Sequence, residues 1–411
     1  MSDCQLPFGL LIRTIIPTQP LACGNETAMD DLLRTYLTTH QRQMFALLKK
    51  MVGINSGSHN KNGVDAVGRV VTDALAGCGL TVDVIEEERV GNQLVVRSIC
   101  PPTDTGQVLL VGHMDTVFAA DTDFTAYRED DTQAYGPGVI DMKGGLVAGI
   151  FALKALSAVD LLKRIPLVFV FNSDEEIGSR RSKALIRNEA GKSACAFVLE
   201  AGGLNGEVVT ARKGNLSARL TVNGRAGHAA FAGADKASAI LEMAHKTLAI
   251  EALNDPAKGV SANVGTVTGG IGPNSVADHA EARLDFRFNR PEDGDTLKDH
   301  LTRIAADTLI AGTAATLEII AGRPPMPASD HNRRLYTRVE KIAGRLGIAV
   351  SPECRPGVSD ANQIAQAGTP VIDGMGPIGA RDHSPDEYML KSSLPQRTLL
   401  LACILADFSC A

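Results

Sequence analysis

The chain has no cysteine pair, no basic excess and no long apolar run, and each absence removes a class of protein. Its eight cysteines, at 4, 23, 78, 100, 195, 354, 403 and 410, fall in no CxxC pair and no regular spacing. That scatter argues against a disulfide framework or a cysteine-built zinc site and suits reduced thiols in a cytoplasm. With 41 Lys and Arg against 47 Asp and Glu, the net charge of -6 lacks the footprint of a nucleic-acid binder. No stretch reaches 18 uninterrupted apolar residues, so no transmembrane helix and no membrane partner is expected. Internal repeats and low-complexity tracts are absent. A secretory signal would need a charged start and a clean apolar centre, but Arg13 interrupts the apolar stretch 8–16, and Pro17 and Pro20 follow it. Leu21-Ala22-Cys23 has something of a lipoprotein cleavage site, yet Pro20 stands where an aliphatic residue belongs. A cytoplasmic protein with an N-terminal extension over 1–26 is the expectation.

What is present is the length and composition of a soluble two-domain protein: 411 residues, 44% hydrophobic and 21% charged. Apolar spacing predicts helices over 27–52 and 63–76, then strands 80–85, 93–99 and 108–111. Helix 144–162, strand 167–171, helix 179–189 and strand 196–199 follow. Strands alternating with helices predict an α/β fold with a mainly parallel sheet covered on both faces. The pattern then changes. Strand 216–222, helix 236–253, strands 262–267 and 282–288, helix 295–310 and strand 315–320 run in β-α-β-β-α-β order, the ferredoxin-like split unit. Pro324, Pro325 and Pro327 mark a linker. Alternation resumes with helix 332–346, strand 348–351, helix 360–367, strand 370–373 and helix 393–407. A catalytic domain of 27–212 and 325–411, interrupted by an inserted α+β domain over 213–324, is therefore expected.

Chemistry-bearing residues collect at the strand ends. His113-Met114-Asp115 closes the apolar run 108–111. Asp141 sits in a Gly/Pro-rich turn before a helix, Asn172-Ser173-Asp174-Glu175-Glu176 follows strand 167–171, and Glu200 closes strand 196–199. In open α/β sheets, ligands bind beyond the carboxyl ends of the strands. His383, in a late loop, can reach the same rim. Each piece has a plainer reading by itself. A lone His after a strand is commonly structural, and a Glu pair before a helix commonly serves the helix dipole. An Asp in a Gly-rich loop is commonly a turn residue. Together, two imidazoles and three carboxylates suit two divalent metals bridged by one carboxylate, because clustered acids need cations or protons to neutralise them. A structural site would be closed and cysteine-rich.

The motifs HMDTV, YGPGVIDMKGG and NSDEEIGS, with the late loop His383, resemble those of the M20 family of co-catalytic zinc peptidases and deacylases. The chain is most similar to that family's glutamate carboxypeptidases. The resemblance implies a zinc-exopeptidase-like fold with an inserted dimerisation or lid domain, and a homodimer. It assigns His113, Asp141 and Glu200 to one metal, and Asp141, Glu176 and His383 to the other. It makes Asp115 the residue that orients His113 and Glu175 the general base. Two zinc ions, with cobalt or manganese as alternatives, are the implied cofactors. On the inserted domain, His228 would reach a neighbouring subunit's site and stabilise the oxyanion. Asn274, Arg287 and Arg323 would contact substrate, and the loop Gly357–Asn362 would line the pocket. The implied reaction is hydrolysis of the amide bond to a C-terminal amino acid in a small peptide or N-acyl amino acid. The alternative is an N-acyl-amino-acid deacylase of the acetylornithine or succinyl-diaminopimelate type, and a relative that only binds a ligand is a third reading.

Overall fold

A computed structural model describes residues 26–100, 102 and 106–409. The N-terminal extension, apart from Glu26, lies outside the described residues, as does the signal-like segment within it.

The apolar runs assemble into a six-stranded sheet. Its spatial order is Leu80–Ile85, Gln93–Ser98, Leu167–Asn172, Gln107–His113, Ser193–Val198 and Val371–Ile372. The last four strands are parallel, and the first two add an antiparallel edge. Strands Gln107–His113 and Leu167–Asn172 are buried at every position, which follows from cover on both faces. Successive side chains alternate between two cores. Leu94, Val108, Leu110, Phe169 and Phe171 meet helices Glu26–Val52, Lys143–Ala158 and Ser393–Asp407. Val95, Leu109, Val111, Val168 and Val170 meet helices Lys183–Ala190 and Asp360–Gln366 on the other side. Helix Lys143–Ala158 is apolar nearly all round and nearly all buried, as a helix held between a sheet and two other helices must be.

The segment between these parts forms a second sheet with its own core around Leu216, Leu220, Met243, Phe286 and Leu297. The spatial order is Ser261–Gly269, His279–Phe288, Gly214–Asn223 and Ala314–Arg323, every pair antiparallel. Helices Ala239–Glu251 and Pro291–Ala306 belong to it, which is the β-α-β-β-α-β arrangement read from the sequence.

Several elements differ from the sequence-based expectation. The helix expected over 179–189 starts only at Lys183. Gly178 and Ser179 adopt positive φ, and the Asp174 carboxylate takes the N–H groups of Arg181 and Ser182, so the chain turns twice before the helix begins. The helix expected over 295–310 lies about a turn earlier, at Pro291–Ala306. Pro291 opens it, and Glu292 and Asp293 favour its N-terminus. The strand expected at 348–351 is Ser351–Arg355. It pairs in parallel with Glu207–Arg212, a strand with no alternating pattern to announce it.

Candidate metal centre and active site

Because four adjacent strands of the sheet run parallel, their carboxyl ends share one rim, and the chemistry gathers there. Gln107–His113 delivers a buried His113, Leu167–Asn172 leads into the tight turn Glu175–Ile177, and Ser193–Val198 leads to Glu200. Asp141 comes from the turn before helix Lys143–Ala158, and the Asp141–Met142 peptide that leads into the helix is cis. His383, in a left-handed conformation, comes from the loop between Gly379–Ala380 and Tyr388–Leu390.

One carboxylate stands between the two imidazoles. Asp141 Oδ1 lies 3.0 Å from His113 Nε2, and Asp141 Oδ2 lies 3.1 Å from His383 Nε2. Glu200 Oε1 is 3.7 Å from His113 Nε2, and Glu176 Oε2 is 3.2 Å from His383 Nε2. Candidate ligand atoms of His113, Asp141 and Glu176 lie within 4.8 Å of one another, as do those of Asp141, Asp382 and His383. Asp382 is exposed and was not singled out from the sequence.

Crowding perturbs every member. Burial pushes Glu176 up to about 8, helped by the charge on Asp141. Burial also lifts Glu200 well above the usual carboxylate range, and neighbouring carboxylates add to this against His113. Burial would lower His113, but its bonds to Asp115 and Asp141 outweigh it and hold the imidazole well above its ordinary value. Hydrogen bonds to Asp141 and Glu176 raise His383 to about 11. Asp141 goes the other way: burial opposes ionisation, but the two imidazoles keep it ionised.

The donor set fits divalent cations. It is all oxygen and imidazole nitrogen, and Glu176 Oε1 is buried with no hydrogen-bond partner. A cation would satisfy that atom and relieve the repulsion that pushes Glu176 and Glu200 towards their protonated forms.

Asp115 ties two of the motifs together. Fully buried, it accepts the N–H of Glu175 on Oδ1 at 3.1 Å and the N–H of Glu176 on Oδ2 at 3.2 Å. Ser58 Oγ donates to Oδ2 at 2.6 Å. His113 Nδ1 lies 2.9 Å from the Asp115 carbonyl oxygen and 3.5 Å from Oδ1. Asp115 thus touches the imidazole through its carbonyl oxygen and holds the acidic turn through its side chain. Ser58 carries no sequence-based assignment.

Arg323 is in the site, where it holds Glu175. Its Nη1 donates to Glu175 Oε1 at 2.5 Å, and its Nη2 donates to the Glu175 carbonyl and to Ser179 Oγ. Ser179 Oγ donates in turn to Asp360, which also accepts from Asn172 Nδ2. Burial and the nearby Glu175 push Asp360 up to about 7. Neither Ser179 nor Asp360 was assigned a role from sequence. Their only signal was membership in the NSDEEIGS and GVSDAN motifs.

Beside the cluster lies a cleft of about 610 Å³. Its lining includes Asp141, Glu175, Glu176, Glu200 and His383 together with Arg212, Arg355, Gly357 and Val358. The loop Gly357–Asn362 therefore reaches the cleft, as its sequence suggested. Three expected residues lie apart from it. His228, exposed, pairs through Gly227–His228 with Ser275–Val276, and Asn274 is at the same turn. Arg287 forms an ion pair with Asp285 two residues away, on a partly exposed strand.

Residues 109–407 match the model of peptidase family M20/M25/M40. The chain belongs to that family. It is 27% identical over 387 residues to carboxypeptidase G2 of Pseudomonas sp. (strain RS-16), an alignment covering 92% of each chain. It is 26% identical over 395 residues to acetylornithine deacetylase of Edwardsiella ictaluri (strain 93-146), covering 90% of this chain and 98% of that one. Its fold superposes on aminopeptidase PepT of Bacillus cereus ATCC 10987 with a TM-score of 0.74 at 23% identity, covering 90% and 98% of the two chains. As a member of the M20 family the chain is an enzyme that hydrolyses amide or peptide bonds, in a family whose enzymes are metal-dependent. No helix among the described residues is long and apolar enough to cross a membrane.

Proposed function

We propose that this M20 enzyme is a two-metal hydrolase that cleaves the amide bond to a C-terminal amino acid bearing a free α-carboxylate. Zinc is the preferred ion, with cobalt or manganese as substitutes. The observation that carries the reading is the division of Asp141, which offers one oxygen to the His113 side and the other to the His383 side. His113, Asp141 and Glu200 would hold one ion, and Asp141, Glu176 and His383 the other. Bound there, divalent cations supply Lewis acidity, polarising the scissile carbonyl and lowering the pKa of a water towards ~7.

The protein's own groups do the rest. Glu175 takes the proton of the attacking water and passes it to the leaving amine nitrogen, which is general base and then general acid work. The Asp115 carboxylate fixes the Glu175 backbone, and Arg323 fixes its side chain. For Arg323 to grip a substrate carboxylate, as the resemblance implies, its guanidinium would have to leave Glu175. Arg212 and Arg355 are further cations lining the cleft, and a guanidinium fork matches a carboxylate geometrically.

In the same reading the inserted unit pairs two copies of the chain, and His228 and Asn274 act on the partner's site. Support comes from their separation from the carboxylate cluster within one chain, and from the exposed Phe231, Leu248 and Ile271 on that unit. Mixed dimers of His228→Ala and Glu175→Ala subunits should regain activity that neither homodimer has. Verified mixed dimers with none would remove this part of the proposal.

The test of the reaction is a panel of acetyl-, benzoyl- and peptidyl-amino acids with zinc present. Release of the C-terminal amino acid is expected, and the preferred acyl group separates a carboxypeptidase from a dedicated deacylase. Glu175→Ala should keep its metal and lose most activity. No hydrolysis of any conjugate would sink both versions.

A further inference from the structure

Four residues beyond His383 lies a carboxylate that the hydrolytic scheme does not use. Glu387 is fully buried. Its Oε2 accepts the N–H of Gly138 at 2.9 Å, and its Oε1 accepts the N–H groups of Ile140 at 2.8 Å and Asp141 at 3.1 Å. The residues it joins are 246 or more apart in sequence. The charged groups beside it are Asp141 and Lys143; Lys143 is also fully buried, and its Nζ donates to the Ile54 carbonyl oxygen at 2.9 Å.

Burying a carboxylate costs several kcal/mol unless hydrogen bonds and a counter-charge compensate. Here the compensation comes from one short loop, and that loop ends on Asp141. The next residue in the chain, Tyr388, opens the strand Tyr388–Leu390. That strand pairs with Gly379–Ala380 on one side and Gln133–Tyr135 on the other. The segment carrying His383 is the connection between Gly379–Ala380 and Tyr388–Leu390, and the loop carrying Asp141 follows Gln133–Tyr135. Glu387 stands where these two segments meet and is hydrogen-bonded to one of them through three N–H groups. Without it, three N–H donors would lose their acceptor, leaving the short strand pairing and the Asp141–His383 contact itself to hold the two loops in register.

We propose that Glu387 is a positioning residue of the metal centre: by clamping the Gly138–Asp141 loop onto the His383 segment, it sets the separation between Asp141 and His383 and thereby the affinity for the ion those two residues share. This rests on the two-metal reading above. His113 ends strand Gln107–His113 and Glu200 follows strand Ser193–Val198, both outside the clamp, so the ion on their side, which takes only Asp141 from the clamped segments, depends on it less.

The test uses full-length Glu387→Ala and Glu387→Gln. Bound zinc is measured by mass spectrometry and by chelator competition, and the thermal midpoint is recorded beside it. Glu387→Ala should bind one of its two ions about 10- to 100-fold less tightly than the wild type does. The other ion should change little, and excess zinc should restore turnover. Glu387→Gln keeps one acceptor oxygen and should fall between the two; it carries the test if the alanine variant does not fold. A lowered thermal midpoint with both zinc affinities unchanged would overturn the proposal, as would equal weakening of both ions. A wild-type protein that binds no divalent ion would overturn the two-metal reading itself, whereas two ions in the wild type with unaltered affinities in the variants would overturn only the role of Glu387.

Discussion

Asp115→Asn is a small change in shape and a large one in hydrogen bonding. The carboxylate is fully buried and accepts on both oxygens: Glu175 N–H on Oδ1, and Glu176 N–H and the Ser58 hydroxyl on Oδ2. An asparagine offers one acceptor and one donor. Turned one way, its NH2 opposes the Glu175 N–H and the Nδ1 side of His113. Turned the other way, it opposes the Glu176 N–H, while Ser58 can rotate its hydroxyl and accept. Either way at least one buried N–H loses its partner, which costs about 1–3 kcal/mol. The same change loosens the turn carrying Glu175 and Glu176, while the 2.9 Å contact of His113 Nδ1 with the Asp115 carbonyl oxygen stays in place. Because Glu176 is a proposed ligand, loosening the group that orients its turn should lower metal affinity about 10- to 100-fold. Denaturant titration should therefore show the destabilisation, and chelator competition the weaker metal binding. Turnover should fall most at limiting zinc and recover in part with excess. Ser58→Ala, which leaves both N–H bonds intact, should show a smaller loss on both measures. Wild-type stability together with wild-type metal affinity in Asp115→Asn would refute this account of the residue.

Other outcomes follow from the same geometry. A Cβ on Gly145 would come within 1.9 Å of the Leu199 carbonyl oxygen, next to Glu200. Gly145→Ala must push the helix and that strand end apart by about 1 Å, a displacement that can cost about 100-fold in turnover, and a normal kcat would contradict it. Arg323→Gln should lower kcat about 10-fold or more while leaving bound metal at the wild-type level, because Arg323 holds Glu175, the proposed base, and no candidate ligand; loss of metal instead would place Arg323 in the metal centre. Chelation should abolish hydrolysis, and zinc, cobalt or manganese should restore it. Away from the site, burial would raise Glu189, but bonds from Arg97, Lys192 and Gln107 outweigh it and hold the carboxyl down at about 2. An unfolded glutamate titrates near ~4.3, so the stabilisation is complete above that pH and is lost as pH falls through about 2. The stability gap between wild type and Glu189→Gln, from urea midpoints, should be widest at neutral pH and narrow in acid. A gap independent of pH would refute the assignment.

Local physics made much of this protein legible in one dimension. The final helix Ser393–Asp407 has the expected bounds, and helix Glu26–Val52 matches to within a residue, because apolar spacing marks a buried face directly. The antiparallel inserted unit followed from the order of its elements. Where polar side chains competed for backbone groups, pattern reading failed: Asp174 delayed a helix by taking its N–H groups, and Glu207–Arg212 became a strand without alternation.

For the site, the sequence by itself determined which side chains are available and that the strand ends would present them. It supplied His113, Asp141, Glu175, Glu176, Glu200 and His383 in motifs dense enough to carry a family resemblance. Tertiary structure decided how they meet. Only packing sets Asp141 between two imidazoles, turns Arg323 onto a glutamate 148 residues away, and puts Glu387 against the Asp141 loop. The reason is that periodicity and turn chemistry act over a few neighbouring residues. A buried charge, by contrast, takes whichever partner the packed chain brings within hydrogen-bonding distance, however distant in sequence.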